Sequence, residues 1–177
     1  MDASDPDLVR LARDGDRAAF RLLLERHYDL LFRVAYRLLG SRAEAEDAAQ
    51  EMAMALARKI GSFGGRSRFS TWLYQLALNH CRDLIRRRKT AGRMEAAFVE
   101  IDAQRSADWA DSDRRLQWLY QAIDRLSPDL KETALLVLAE DMNHAEAGEV
   151  LGVKESTVSW RMHEIRKRLA VLARMEE

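Results

Sequence analysis

The stretch 143–169, NHAEAGEVLGVKESTVSWRMHEIRKRL, decides the fold. It predicts two helices joined by a tight turn. Asn143 can cap the first helix, and Glu146, three residues on, completes a capping-box signature. Val150 and Leu151 close that helix and Gly152 supplies a left-handed stop. Gly148 inside it costs about 1 kcal/mol of helix stability against alanine. The second helix begins at Glu155 or Ser156, with Val158, Met162, Ile165, Leu169 and Leu172 recurring at helical spacing. Its other face carries Thr157, Ser159, Trp160, Arg161, His163, Arg166 and Lys167. A helix-turn-helix lays such a face in the major groove, so duplex DNA is the first partner this stretch suggests.

The rest of the chain extends the helical pattern. Only 8 of 177 residues are Gly and 2 are Pro, while 47% are hydrophobic and 33% charged, a globular and all-α composition. Lone Cys81 excludes an internal disulfide and suggests a reducing compartment. The N-terminus, with Asp2, Asp5 and Asp7, lacks the layout of a signal peptide, and no apolar run is long enough for membrane insertion. These features place the chain in the cytoplasm. Net charge is zero, but its distribution is uneven: residues 58–93 hold ten Lys and Arg against one acid, and residues 94–150 hold five against thirteen. Screening makes local patches matter more than the total, so basic surfaces for DNA alternate with acidic ones for something else.

Ser4 or Asp5, with Pro6 following, starts a helix that ends near Gly15; Asp16 starts another that runs to Gly40. Ser41 and Glu44 form a second capping-box signature before a helix over 42–60. Residues 61–68 read as a loop, and Ser70 as the cap of a helix over 71–90. Residues 91–111 lack clean periodicity and predict a flexible linker that, fully extended, reaches up to about 70 Å. Helices over 112–126 and from Ser127-Pro128 to Glu140 lead into the helix-turn-helix. The expected architecture is two small helical domains, 1–90 and 112–177.

The loop region mixes Phe63, Phe69, Trp72 and Tyr74 with Arg66, Arg68 and, further on, Arg82 and Arg86. Aromatic faces stack on unpaired bases at about 1–3 kcal/mol per base while arginines hold the backbone. The set suits opened DNA strands; the bland alternative is that these aromatics are core.

In order, Asp47-Ala-Ala-Gln50-Glu51, Phe69-Ser-Thr-Trp72-Leu-Tyr74, Ala77-Leu-Asn79 and Asp83-Leu-Ile-Arg86 resemble region 2 of an extracytoplasmic-function (ECF, group IV) sigma factor of the sigma-70 family. Leu126-Ser-Pro and the helix-turn-helix resemble region 4. The resemblance covers both modules. It implies a region 2 bundle and a region 4 helix-turn-helix in an alternative sigma factor. Such a protein binds core RNA polymerase through the β′ clamp helices and β flap, recognises and melts promoters in a stress or envelope response, and is held by an anti-sigma factor. The positions matching the polymerase-docking face are Asp47, Gln50, Glu51, Met54 and Arg58. Those matching the readers of the downstream −10 element, where a base is flipped into a loop pocket, are Phe63, Arg66, Arg68, Phe69, Trp72, Asn79, Arg82 and Arg86. Those facing the upstream −35 element are Ser156, Thr157, Ser159, Trp160, Arg161, His163, Glu164 and Arg166. The chain departs from the family where basic residues often replace Ser159 and Glu164 and where a small residue usually replaces Trp160; a glutamate there can accept from a cytosine amine.

Other readings are a stand-alone helix-turn-helix regulator, a sigma-like decoy, and an enzyme. The enzyme has only Cys81 and His27, His80, His144 and His163 as raw material, with no ligand spacing, nucleophile elbow or phosphate loop. The expectation is no catalysis, no cofactor and no metal.

Overall fold

A computed structural model describes residues 3–90 and 114–175, and the chain divides into two compact units between 101 and 102. The linker expected over 91–111 lies outside the described residues. Among these, all regular structure is helical and no helix is long and apolar enough to cross a membrane.

In the first unit, α1 (Asp5–Arg13) is capped by Ser4, whose hydroxyl accepts from the amide of Asp7. Asp16 caps α2 (Arg17–Leu39), accepting from the amides of Ala18 at 2.8 Å and Ala19 at 3.1 Å. Gly40, at φ 79°, ends it in the left-handed conformation that glycine adopts without a Cβ penalty. α3 (Arg42–Lys59) starts at Ser41, which accepts from the amide of Glu44. The Glu44 carboxylate does not complete the capping box: it pairs with Arg88 of α4 (Phe69–Thr90). α4 itself begins before Ser70, because Phe69 is drawn into its first turn by burial against Phe63 and Trp72.

α2 is the hub and packs on α1, α3 and α4, which is why its apolar stripe is so broad. Leu23, Leu31 and Val34 of α2 meet a core that includes Met52 and Leu56 of α3 and Leu73 and Leu78 of α4, all under 2% exposed. Asp5 ties α1 to α2: its carboxylate takes Arg26 at 3.1 Å and His27 at 2.7 Å, and Arg26 also donates to the carbonyl of Ala3 at 2.7 Å.

In the second unit, α5 (Arg114–Asp124) and α6 (Pro128–Ala134) pack against α8 (Glu155–Met175). α6 runs on into a π-helical turn, Leu135–Ala139, so the helix expected to reach Glu140 is not α-helical throughout. Asp141, at φ 51°, then turns the chain towards α7 (His144–Leu151). Both halves of the box at Asn143 are made: its side chain accepts from the amide of Glu146 at 2.9 Å, and its own amide donates to the Glu146 carboxylate at 3.0 Å. Gly152 (φ 68°) makes the turn, and Ala147, Val158, Met162 and Ile165 close the core.

Gly148 has a role that its helix propensity conceals. The amide of Val153 donates to its carbonyl at 3.0 Å, and a Cβ there would sit 2.8 Å from the carbonyl oxygen of Val153, which is backbone and cannot step aside. Overpacking of this kind costs about 1–3 kcal/mol, which outweighs the gain of about 1 kcal/mol from alanine's propensity. Gly148→Ala is therefore expected to lower the melting midpoint of the second unit by several degrees in circular dichroism; a rise would mean that the turn relaxes.

Candidate protein and nucleic-acid interfaces

α3 has two faces of opposite character. Ala45, Ala48, Ala49, Met52 and Leu56 are buried, the alanines letting the helix close on α2. Asp47, Gln50, Glu51, Met54 and Arg58 are all exposed, Met54 at 57%. Their i, i+3, i+4, i+7, i+11 spacing makes one stripe about 16 Å long. It carries two acids and an amide at one end, a bare thioether in the middle and a cation at the other end. Glu51 lies 3.2 Å from Nε2 of His80 on α4. Such a face suits a basic partner with an apolar seam.

The loop after α3 corrects part of the sequence reading. Phe63 and Phe69 are 7% and 5% exposed, and Tyr74, expected in the same cluster, is also buried. Phe63 stands edge-on to Phe69 at 5.6 Å, and His27 of α2 meets Phe69 at 5.3 Å. Burial takes both phenylalanines out of the base-stacking set; they brace the loop from beneath. Trp72 is half-buried, 5.3 Å from Phe63 and 5.8 Å from Phe69. Above this floor Gly65 adopts φ +67° and Arg66 and Arg68 are exposed. On α4, Asn79, Arg82 and Arg86 share the exposed face at i, i+3, i+7. Asn79 accepts from Arg82 at 3.0 Å through its amide oxygen, and Arg86 pairs with Asp83 at 2.9 Å.

Arg10, Arg13 and Asp14, none of them a candidate from the sequence, line with Val9 an open depression of about 540 Å³ that Gly61, Phe63 and Gly65 also line. Nothing in the local pattern of α1 signals that its last turn stands beside the loop.

The helix-turn-helix face also sorts into used and available groups. Arg161 is not on it. Its guanidinium donates to Asp129 at 3.0 Å and to the Thr133 hydroxyl at 3.4 Å, and its side chain is only 14% exposed. Position 161 lies on the flank nearer α6, and the buried Thr133 and the Asp129 carboxylate hold the side chain there. Arg161→Ala is expected to destabilise the second unit by about 1–2 kcal/mol while leaving promoter preference unchanged, read by thermal melting beside transcription from a promoter panel. Ser159 Oγ lies 2.8 Å from Nδ1 of His144, which ties α8 to the start of α7. Glu164 accepts from Arg168 at 2.8 Å. That hydrogen bond, helped by the charges of Arg168 and Lys167 and only partly opposed by burial, holds its carboxyl below the usual range. Thr157 is half-buried. Ser156, Trp160, His163 and Arg166 are exposed, as is Lys167, which the candidate set omitted although i, i+4, i+7, i+11 from Ser156 reaches it.

Comparisons with known proteins follow this division. The Sigma-70 region 2 family model matches residues 23–91 and the Sigma-70, region 4 model matches residues 116–169. The ECF RNA polymerase sigma factor SigW of Bacillus subtilis is 29% identical over 172 residues, covering 91% of this chain and 92% of that protein. SigM of Mycobacterium tuberculosis, another ECF RNA polymerase sigma factor, is 30% identical over 171 residues, covering 96% of this chain and 84% of that protein. The solved structure of CnrH in complex with the cytosolic domain of CnrY has the same fold, with a TM-score of 0.73 at 24% identity over 98% of this chain and 99% of that one. Two region models in sequence order, and full-length relatives reaching 30% identity, show that this chain belongs to the ECF RNA polymerase sigma factors.

Proposed function

We propose that this sigma factor divides initiation among three surfaces. The α3 stripe of Asp47, Gln50, Glu51, Met54 and Arg58 docks on the clamp helices of core polymerase. Arg66, Arg68, Trp72, Asn79, Arg82 and Arg86 hold the opened −10 element. Ser156, Trp160, His163 and Arg166, with Lys167, face the −35 duplex, and the second unit also meets the β flap. In this reading the two domains are 1–90 and 112–177, working beside polymerase in the cytoplasm, and an anti-sigma protein is the regulatory partner.

The observation that carries the reading is the α3 stripe: five side chains matching the family's docking face are all turned to solvent on one side of a helix whose other side is core. Transcription by purified core polymerase from a randomised promoter library tests it. Addition of the chain is expected to create start sites with two conserved boxes upstream. If no start site depends on the chain, while the chain alone selects specific duplexes, the stand-alone regulator replaces this reading.

A further inference from the structure

The second unit presents a side chain whose chemistry points to one base. Trp160 is 63% exposed. Helical spacing puts Ser156 one turn before it, and His163 and Lys167 one and two turns after. Of its other polar neighbours on α8, Thr157 is half-buried, and three are engaged within the protein: Arg161 with Asp129 and Thr133, Glu164 with Arg168, and Ser159 with His144. The middle of this outer face is therefore an indole. Its large apolar surface gains most when a second apolar surface covers it.

Resting on the reading of α8 as the helix that enters the upstream duplex, we propose that Trp160 recognises a thymine in that box by packing its indole on the C5-methyl group. In the major groove, thymine alone among the four bases presents an apolar group. Cytosine presents an amine that needs an acceptor, and the purines present acceptors, with an amine as well on adenine. The indole ring face offers none of these partners, since its one polar atom is a donor at the ring edge. Against cytosine the ring strips water from the amine and returns no hydrogen bond; against thymine both surfaces are apolar. The contact adds no charge, so its contribution to binding is independent of salt.

Deoxyuridine separates the methyl from every other property of thymine, because it keeps the base pairing and the O4 acceptor. Holoenzyme reconstituted from the full chain and core polymerase is titrated with promoter duplexes in which each upstream-box thymine is replaced in turn. One replacement is expected to weaken binding about fourfold, the worth of a buried methyl-sized group. Trp160→Ala should abolish that penalty and Trp160→Phe should keep it. At the same position, 5-methylcytosine should recover part of the binding that cytosine loses. Deoxyuridine without effect at every position, or an equal penalty in Trp160→Ala, overturns the proposal. Scrambling the whole upstream box separates the two failures. If scrambling matters and deoxyuridine does not, only the thymine contact falls; if scrambling changes nothing, the placement of α8 in the groove falls and this contact with it.

Discussion

Asp47→Lys combined with Glu51→Lys is expected to weaken binding to core RNA polymerase more than about 100-fold. Like charges brought together at an interface cost several kcal/mol, and each 1.4 kcal/mol is about tenfold in affinity. Both carboxylates are exposed and neither lies on the α2-facing side of α3, so reversing them leaves the core untouched, and exposed substitutions of this kind change stability by about 0.5 kcal/mol or less. Among the described residues the internal interaction at stake is the Glu51 contact to His80, at 3.2 Å and partly exposed. Asp47→Lys alone avoids it and should still cost about tenfold. A fluorescence titration of labelled chain with core polymerase reads the affinity, and circular dichroism checks the fold. Unchanged affinity in a folded double variant would move the docking face elsewhere.

The legibility of this face in the sequence has a simple cause. A run of alanines at 45, 48 and 49 leaves one side of a helix able to approach a neighbour, so the acids between them must point outwards. Caps were legible for the same reason: Ser4, Asp16, Ser41, Asn143, Gly40 and Gly152 act within a few residues of themselves. What could not be read depends on residues distant in the chain. Phe63 and Phe69 sit among glycines and arginines, a setting equally suited to base stacking and to burial. The choice is made by packing from other elements: His27 of α2 meets Phe69 at 5.3 Å, and Trp72 of α4 meets Phe63 at 5.3 Å. Arg161 carries the charge expected of a groove residue, yet its partner Asp129 lies 32 positions away. Gly148 looked like a weak point in a helix, because helix propensity contains no term for the Val153 carbonyl that packs on it. Local chemistry fixed the helices; which surface each side chain serves was settled by packing.

Arg66→Ala combined with Arg68→Ala is expected to reduce open-complex formation on the order of 100-fold at physiological salt, with loss spread evenly across promoters. Both arginines stand exposed on a glycine-containing loop whose aromatic floor is already occupied by its own packing. With Phe63 and Phe69 buried, little of the loop's hold on an opened strand can come from stacking, and Trp72 alone of the candidate stacking aromatics keeps a half-open ring. In the proposed reading the remaining hold is electrostatic. Each lost contact to a single strand should lower the slope of log affinity against log salt by about 0.7, so the double variant should lose about 1.4. Asn79→Ala gives the opposite signature. In the proposed reading its amide recognises a base edge and not a charge, so its loss is expected to be confined to promoters carrying the matching downstream base and to leave the salt slope unchanged. Permanganate reactivity of unpaired thymines measures strand opening in both variants across a salt series. If the arginine variant loses activity only at particular sequences, the loop reads bases through its guanidinium groups, and the division of labour between loop and α4 has to be reversed.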